Sequence, residues 1–368
     1  KKETTPQFEL FRDNLDIGDF LEAAGTLFIT QRGEKSIDAQ NLRLLSKSVR
    51  PLPDQWAGLS DLETRLRHRY LDILFNDEIR LLFVKKAVFW QTVRDFLRKQ
   101  EFLEMETSAL ETIPGGADAE PFLTHHNALD ADFYLRISLE LPLKKLLVGG
   151  YEKVFEIGRV FRNEGIDAEH LQDYTECEFY WAYQDHKGLM RLLEKLYKTV
   201  VKKVLGDGAS QWHGQTINWE GKWPKLDYSK LFKEKNGLDP SKASADQLRA
   251  KAASLGLKPD PGLGKGRLLD LIFKKTVRPN LIQPAFLVGL PIEISPLAKR
   301  SSKNPRIVER VQVVACGTEI GNGWSELNDP LDQRARFEEQ MQLRQAGDRE
   351  AQRLDEDFLE ALEYGMPP

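Results

Sequence analysis

Four chemistry-bearing side chains occur close together between Phe155 and Tyr183 (FEIGRVFRNEGIDAEHLQDYTECEFYWAY): Arg162, Glu164, His170 and Glu178. An arginine fork suits phosphate and a carboxylate suits an amine, so this set fits a ligand that carries both. A second group lies in GTEIGNGWSELNDP, where Glu319 is followed by Asn322, Trp324 and Glu326, the last three at intervals of two. Glu319 offers the hard oxygen that Mg2+ prefers, and Asn322 and Glu326 are compatible with holding an ammonium group. Gly115–Gly116, with no Cβ on either residue, lets backbone approach a ligand closely. Plainer readings of the same residues are a surface hairpin with a salt bridge and a polar sheet edge.

The elements that must position these residues are legible from periodicity. Phe155, Ile157 and Phe161 on one side of the loop, and Cys177, Phe179 and Trp181 on the other, alternate at a spacing of two, which leaves Glu178, Tyr180 and Ala182 on the opposite face. This predicts an antiparallel strand pair around a polar loop, Asn163 to Asp173, longer than a tight hairpin needs. Arg136, Ser138 and Glu140 are expected to share a strand face, Glu319 to sit in a turn-rich segment, and Asn322, Trp324 and Glu326 to share a strand face. A helix is predicted from about Asp77 to Gln100 with Phe89, Val93, Phe96 and Leu97 at helical spacing. Another runs from about His186 to Leu205 with Leu189, Leu193, Leu196 and Val200 on one stripe. Phe337, Met341, Leu354, Phe358 and Leu362 are expected to face inward from C-terminal helices.

Two tempting sites are set aside. His125 and His126 are adjacent on a strand and point to opposite faces, so they read as structural rather than as chelators. PGLGKGR lacks the GxxxxGK[ST] spacing of a phosphate loop and reads as the lead into the helix LLDLIFKKTV.

The 368 residues hold one large and one smaller domain, with 41% hydrophobic and 30% charged residues, as in a soluble globular protein. A net charge of −4 gives no global attraction to nucleic acid, so an RNA partner would need a local basic surface. Cys177 and Cys316 are read as core residues of apolar strands, which excludes a disulfide framework or thiolate cluster. Neither an 18-residue apolar run nor a signal-peptide pattern is present, and a cytoplasmic location is expected.

The block FRNEG, a loop containing a histidine and an aromatic residue, and TECEFYWAY together closely resemble motif 2 of the class II lysyl-tRNA synthetases. PGGA, THHNALD, SPLAK and EIGNGWSELND are similar to further words of the same family, and the resemblance covers nearly every residue. It implies an α+β fold: a class II antiparallel sheet flanked by helices over residues 51–368, preceded over residues 1–50 by part of an oligonucleotide-binding (OB-fold) barrel for the anticodon. It further implies ATP-dependent activation of L-lysine, transfer to tRNA(Lys), Mg2+, and a homodimer built through the motif 1 region, ETRLRHRYLDIL to EFLEMETSAL. By resemblance Arg162 is the catalytic residue on the α-phosphate, and Glu164, His170, Tyr174 and Glu319 bind ATP. Gly116, Glu140, Glu178, Tyr180, Asn322, Trp324 and Glu326 would form the lysine pocket, with Glu319 and Gln312 at the metal.

Departures from the family pattern are specific. Gln312 replaces a second metal-binding carboxylate, Ser108 a proline, Tyr174 a phenylalanine, and Leu139 and Pro142 flank Glu140 where proline and tyrosine are usual. Leu171 and Gln172 follow His170 where the family favours Asn and Pro. The match runs up to EYGMPP, ahead of the segment that carries motif 3 in relatives. Two other readings stay open at this point: a non-catalytic lysine-binding paralogue, and a lysyl transferase acting on a protein.

Overall fold

The structure, a computed structural model, describes residues 6–52, 61–165, 170–260, 262–348 and 350–368. The chain divides into two compact units, Lys1–Lys86 and Ala87–Pro368.

The first unit carries a helix that periodicity did not predict, α1 (Pro6–Asn14). The expected hairpin follows: β1 (Phe20–Ile29) pairs antiparallel with β2 (Lys35–Ser46) through a turn at Gly33. Two short helices, α2 (Leu62–Arg67) and α3 (Arg69–Phe75), come next. They are clamped by Asp72, which is buried and pairs with Arg65 at 2.9 Å and Arg69 at 2.5 Å. α4 (Asp77–Lys99) runs on into the second unit with the predicted limits, and Val93 and Leu97 are its buried residues.

The second unit begins with β3 (Leu103–Glu104), β4 (Leu110–Glu111), β5 (Leu123–His126) and β6 (Ala131–Leu135). α5 (Glu140–Val148) then leads to the paired strands β7 (Lys153–Phe161) and β8 (Asp173–Trp181), and these to α6 (His186–Leu205). The segment that follows supplies β9 (Ala209–Trp212), β10 (Gln215–Asn218), β11 (Lys225–Asp227), α7 (Tyr228–Asn236), α8 (Ala245–Ser254) and α9 (Lys265–Thr276). The chain closes with β12 (Ala285–Val288), β13 (Arg310–Ala315), β14 (Thr318–Trp324), α10 (Pro330–Gln345) and α11 (Glu356–Glu363).

Two sheets position the site. One has the order β3-β7-β8 and the other β11-β12-β13-β14; the long pairs β7–β8, β12–β13 and β13–β14 are antiparallel, and β3–β7 and β11–β12 are parallel. A third small sheet, β4-β6-β5, is antiparallel.

The β7–β8 ribbon forms as the alternation predicts, because both of its faces have something to bury. Phe155, Ile157, Cys177, Phe179 and Trp181 pack into one core with α4 and α6, where Phe102 meets Phe179 and Trp181 edge-on at 5.5 and 5.8 Å. On the other face Val154, Val160 and Tyr180 join Leu139, Leu143, Leu147, Phe337 and Phe358 in a second core. α6 starts at Asp185, whose carboxylate accepts from Lys187 and Gly188 N–H, and stops at Gly206 with φ +93°. Leu193, Leu196 and Val200 are buried on its predicted stripe.

Three local expectations are corrected. Glu140 opens α5 rather than ending a strand: β6 stops at Leu135, and Leu139, Leu143 and Leu147 recur at the four-residue interval of a buried helix face. Pro142 falls in the first turn, where its missing N–H costs nothing, and Gly149–Gly150 ends the helix. Glu319 lies on β14 itself, paired with Val314, rather than in a turn. Cys316 occupies the β13–β14 turn at φ +55°, not a strand, while Cys177 is on β8 as expected; both thiols are free. The Gly264 lead into α9 forms as expected, and Phe337, Phe358 and Leu362 are buried, while Met341 is half-buried on α10 and Leu354 lies between α10 and α11 rather than on a helix.

Candidate active site

The second unit encloses a cavity of about 1290 Å³ between the two main sheets. Its lining includes Gly116, Glu140, Arg162, His170, Tyr174, Glu178, Tyr180, Gln312, Glu319, Asn322, Trp324 and Glu326. Glu164 stands apart, outside that lining.

Glu178 is held by three donors. Its Oε1 accepts from Ser138 Oγ at 2.7 Å and from the Leu139 backbone N–H at 2.8 Å, and its Oε2 accepts from the Tyr180 hydroxyl at 2.7 Å. Leu139, the residue before α5, offers the helix no side-chain cap, and its own N–H goes to this carboxylate from β8, which stands at the end of the helix that favours negative charge. Directly opposite on β7 is Glu156. Like charges facing each other across a ladder are unfavourable, and the fold separates their partners. Glu156 pairs with Arg136 at 2.7 Å and accepts from Thr107 N–H and Oγ1 at 3.0 and 2.7 Å. Arg136, expected to share a strand face with Glu140, is therefore spent on joining β7 to the Thr107 segment.

Gly116 has φ +82°, and a Cβ there would lie 2.9 Å from Glu140 Cβ and 3.0 Å from Ser138 Oγ. Only glycine brings this backbone so close to the carboxylate wall. Glu140 and Glu326 approach from α5 and from just past β14, and both contact the ammonium of Lys144 at 2.5 Å. Glu326 Oε2 also accepts from Trp324 Nε1 at 3.1 Å. Strand β14 ends at Trp324, so the expected strand face stops short of Glu326, which continues it through a single bridge to Ala298.

Burial raises Glu140 above the usual carboxylate range, with Lys144 opposing and Glu326 and Glu178 adding to the shift. Glu326 is raised for the same first reason. Burial pulls the Lys144 ammonium down, but its two carboxylates outweigh that and hold it above an ordinary lysine.

Along the same ribbon, the Arg162 guanidinium sits 5.4 Å from the centre of the Tyr174 ring, with Nη2 4.0 Å from Glu176 and Nε 3.4 Å from the Ile137 carbonyl. Burial and the neighbouring Glu178 push Glu176 up to about 7, against the pull of Arg162. This is a cation stacked on an aromatic plane at the foot of the β7–β8 loop, and residues 166–169 of that loop lie outside the described residues.

On the second sheet Gln312 Nε2 donates to Glu319 Oε2 at 2.7 Å, from β13 to β14. Glu319 is raised by burial, against the pull of Arg310, Lys274 and Arg278 and with Asp270 adding to the shift. Among the described residues no cluster of three or more His, Cys, Asp or Glu forms a metal cage. One carboxylate with an amide oxygen nonetheless fits Mg2+, which keeps waters and takes phosphate oxygens as its other ligands. The histidine pair behaves as expected: His125 faces Asp130 and Asp132, while His126 lies against Phe133.

Sequence reasoning missed Lys144, Ser138 as a ligand of Glu178, and Arg267, which ties α9 to Asp118 at 3.4 Å and Asp348 at 3.2 Å. Only Lys144 left a signal, an acid–base pair with Glu140 at i,i+4 inside a leucine-rich stretch.

Residues 61–368 match the family of tRNA synthetases class II (D, K and N). The chain is 48% identical over 362 residues to the lysine–tRNA ligase of Moorella thermoacetica, covering 98% of this chain and 74% of that protein. It has the same identity and coverage with the lysine–tRNA ligase of Roseiflexus castenholzii. With that of Pelotomaculum thermopropionicum it is 46% identical over 364 residues, with 98% and 72% coverage.

Proposed function

The chain belongs to the class II tRNA synthetases, among the lysine–tRNA ligases, and from that premise we propose that it activates L-lysine with ATP and transfers it to tRNA(Lys). The observation that carries the reading is one cavity whose lining brings together Glu140, Glu178 and Glu326 with Arg162 and Glu319. The three carboxylates suit an amine, and Arg162 with Glu319 suits a nucleoside triphosphate.

In the first step an oxygen of the lysine carboxylate bonds to the α-phosphorus of ATP. The bond from that phosphorus to the bridging oxygen breaks, and pyrophosphate leaves with the electron pair. In the second, a ribose hydroxyl at the tRNA 3′ end attacks the acyl carbon, and AMP departs. Positioning and charge stabilisation make up most of the protein's share. Arg162 binds the α-phosphate and meets the charge that develops there. Glu164 and His170 orient ATP, and Tyr174 stacks on adenine. Glu178 and Tyr180, Asn322, Trp324 and Glu326 take the amines of lysine, with Glu140 and the Gly116 backbone closing the pocket. Mg2+ held by Glu319 and Gln312 would neutralise phosphate charge.

Residues 1–50 are assigned to an OB-fold anticodon module and 51–368 to the synthetase domain. The exposed apolar side chains of the β1–β2 ribbon, Phe20, Leu27 and Ile29 among them, are in keeping with a barrel. Exposed Leu81, Leu82, Phe83 and Val84 on α4 support a homodimer through that region. Among the described residues no helix is long and apolar enough to cross a membrane, and a cytoplasmic location is assigned on the family's chemistry.

Lysine-dependent ATP–pyrophosphate exchange tests the reading, with exchange expected only when lysine, ATP and Mg2+ are all present. The hydrogen bond between Gln312 and Glu319 favours one alternative, a lysine-binding paralogue without catalysis. Calorimetric lysine binding with no exchange would select it.

A further inference from the structure

Three carboxylates from three elements meet at one wall of the cavity: Glu140 from α5, Glu178 from β8 and Glu326 from the segment after β14. Left alone in a poorly solvated wall they would take up protons and lose their attraction for an amine. Glu178 is stabilised by its three donors. Glu140 and Glu326 share Lys144, whose Nζ lies 2.5 Å from each. Lys144 is 1% exposed. The rings of Tyr180, Trp324 and Phe358 surround its ammonium, with centroids 5.9, 5.8 and 6.0 Å away. Glu140, Glu326, Tyr180 and Trp324 line the cavity and Lys144 does not, so its charge sits behind the wall.

A buried ion triad is a poor device for stability alone, because an apolar side chain of similar size does as well or better. Its value lies in what it does to the wall. We propose that Lys144 is a positioning residue for amine selection, an internal counter-ion that opposes the effect of burial on Glu140 and Glu326, favours their ionised forms and holds them in place before the ligand arrives. The inference rests on reading the cavity as the lysine site. Once ionised, three carboxylates against one ammonium make the wall net negative, which attracts a cationic amino acid and disfavours a neutral one of the same length. The groups that face Glu140 are Lys144 on its own helix, Glu178 and Tyr180 on β8, and Glu326 beyond β14.

The test is calorimetric binding of L-lysine to the 368-residue chain from about pH 6 to about pH 9, for the natural protein and for Lys144→Met, Lys144→Gln and Lys144→Arg. Lysine affinity should rise with pH as the wall ionises. Removing an opposite charge at this range moves a carboxylate by about one to three units. The midpoint in Lys144→Met and Lys144→Gln should therefore move up by that much, with lysine affinity at neutral pH about tenfold lower or worse. More protons should be released on binding, read from buffers of different ionisation enthalpy. Lys144→Arg should keep the original midpoint even where its bulk weakens affinity. Packing damage alone would lower affinity at every pH without moving the midpoint, and that result overturns the proposal. So does failure of both neutral variants to fold, since residue 144 would then be a folding requirement. If the natural protein binds no lysine at any pH, the lysine site itself is wrong.

Discussion

Gln312 donates its side-chain amide to Glu319 at 2.7 Å across β13 and β14, where an acidic side chain at position 312 would place a second carboxylate. The bond neutralises nothing. Glu319 stays raised by burial, and the pair offers a cation one negative charge instead of two.

Gln312→Glu should therefore tighten Mg2+ binding by about tenfold, measured by titration in the presence of a non-hydrolysable ATP analogue. The same variant should melt lower in EDTA and recover with Mg2+, because two carboxylates without a cation repel. Unchanged Mg2+ affinity would mean that Glu319 is not a metal ligand.

Arg162 is expected to act through both its charge and its planar fork. Arg162→Ala should lower the exchange rate by about 10² to 10³. Arg162→Lys should recover only part of this, since an ammonium cannot stack on Tyr174 or bind phosphate through two parallel bonds. Full recovery by lysine would reduce the role to charge alone.

Tyr180→Phe removes the donor to Glu178 Oε2 in a buried setting. An unsatisfied buried acceptor costs about 1–3 kcal/mol, so KM for lysine should rise roughly tenfold to a hundredfold, while KM for ATP stays put. Equal effects on both substrates would place Tyr180 in general packing.

Glu111 gives a pH-dependence away from the cavity chemistry. Burial lifts its carboxyl to about 8, Asp355 adds to the shift, and Arg136 and Lys145 oppose it. Between its ordinary value of 4.5 and about 8 the folded state holds the proton more often than the unfolded state. Stability contributed at this position therefore falls as pH rises through that window. Urea unfolding of Glu111→Gln should show a stability gain over the natural protein that grows toward pH 8 and vanishes near pH 4. A pH-independent difference would assign Glu111 an ordinary carboxylate.

The amine-binding wall shows what one dimension carries and what it does not. Alternation through Cys177, Phe179 and Trp181 is enough to put Glu178 and Tyr180 on the other face, since a strand's period of two leaves no choice. It says nothing of Glu156 lying opposite Glu178, because register depends on the length and path of the intervening loop. Glu140 reads as a strand residue in one dimension for a related reason. Alternating residues in RISLEL fit a strand, and only the longer leucine period, set against the second core, selects the helix.

What the sequence determined by itself was local: the β7–β8 ribbon, the limits of α4 and α6, and the residue types that suit phosphate, amine and Mg2+, along with the words that mark the family. Each depends on neighbours within a few positions, where periodicity and covalent geometry act. The tertiary structure decided how those side chains are spent. Arg136 went to Glu156, Glu178 took the N–H of Leu139 at the start of a helix distant in sequence, and Glu140 met Glu326 across a lysine that reads as an ordinary surface pair. Those outcomes turn on burial and on charges brought together over long sequence separations, and both exist only once the chain has packed.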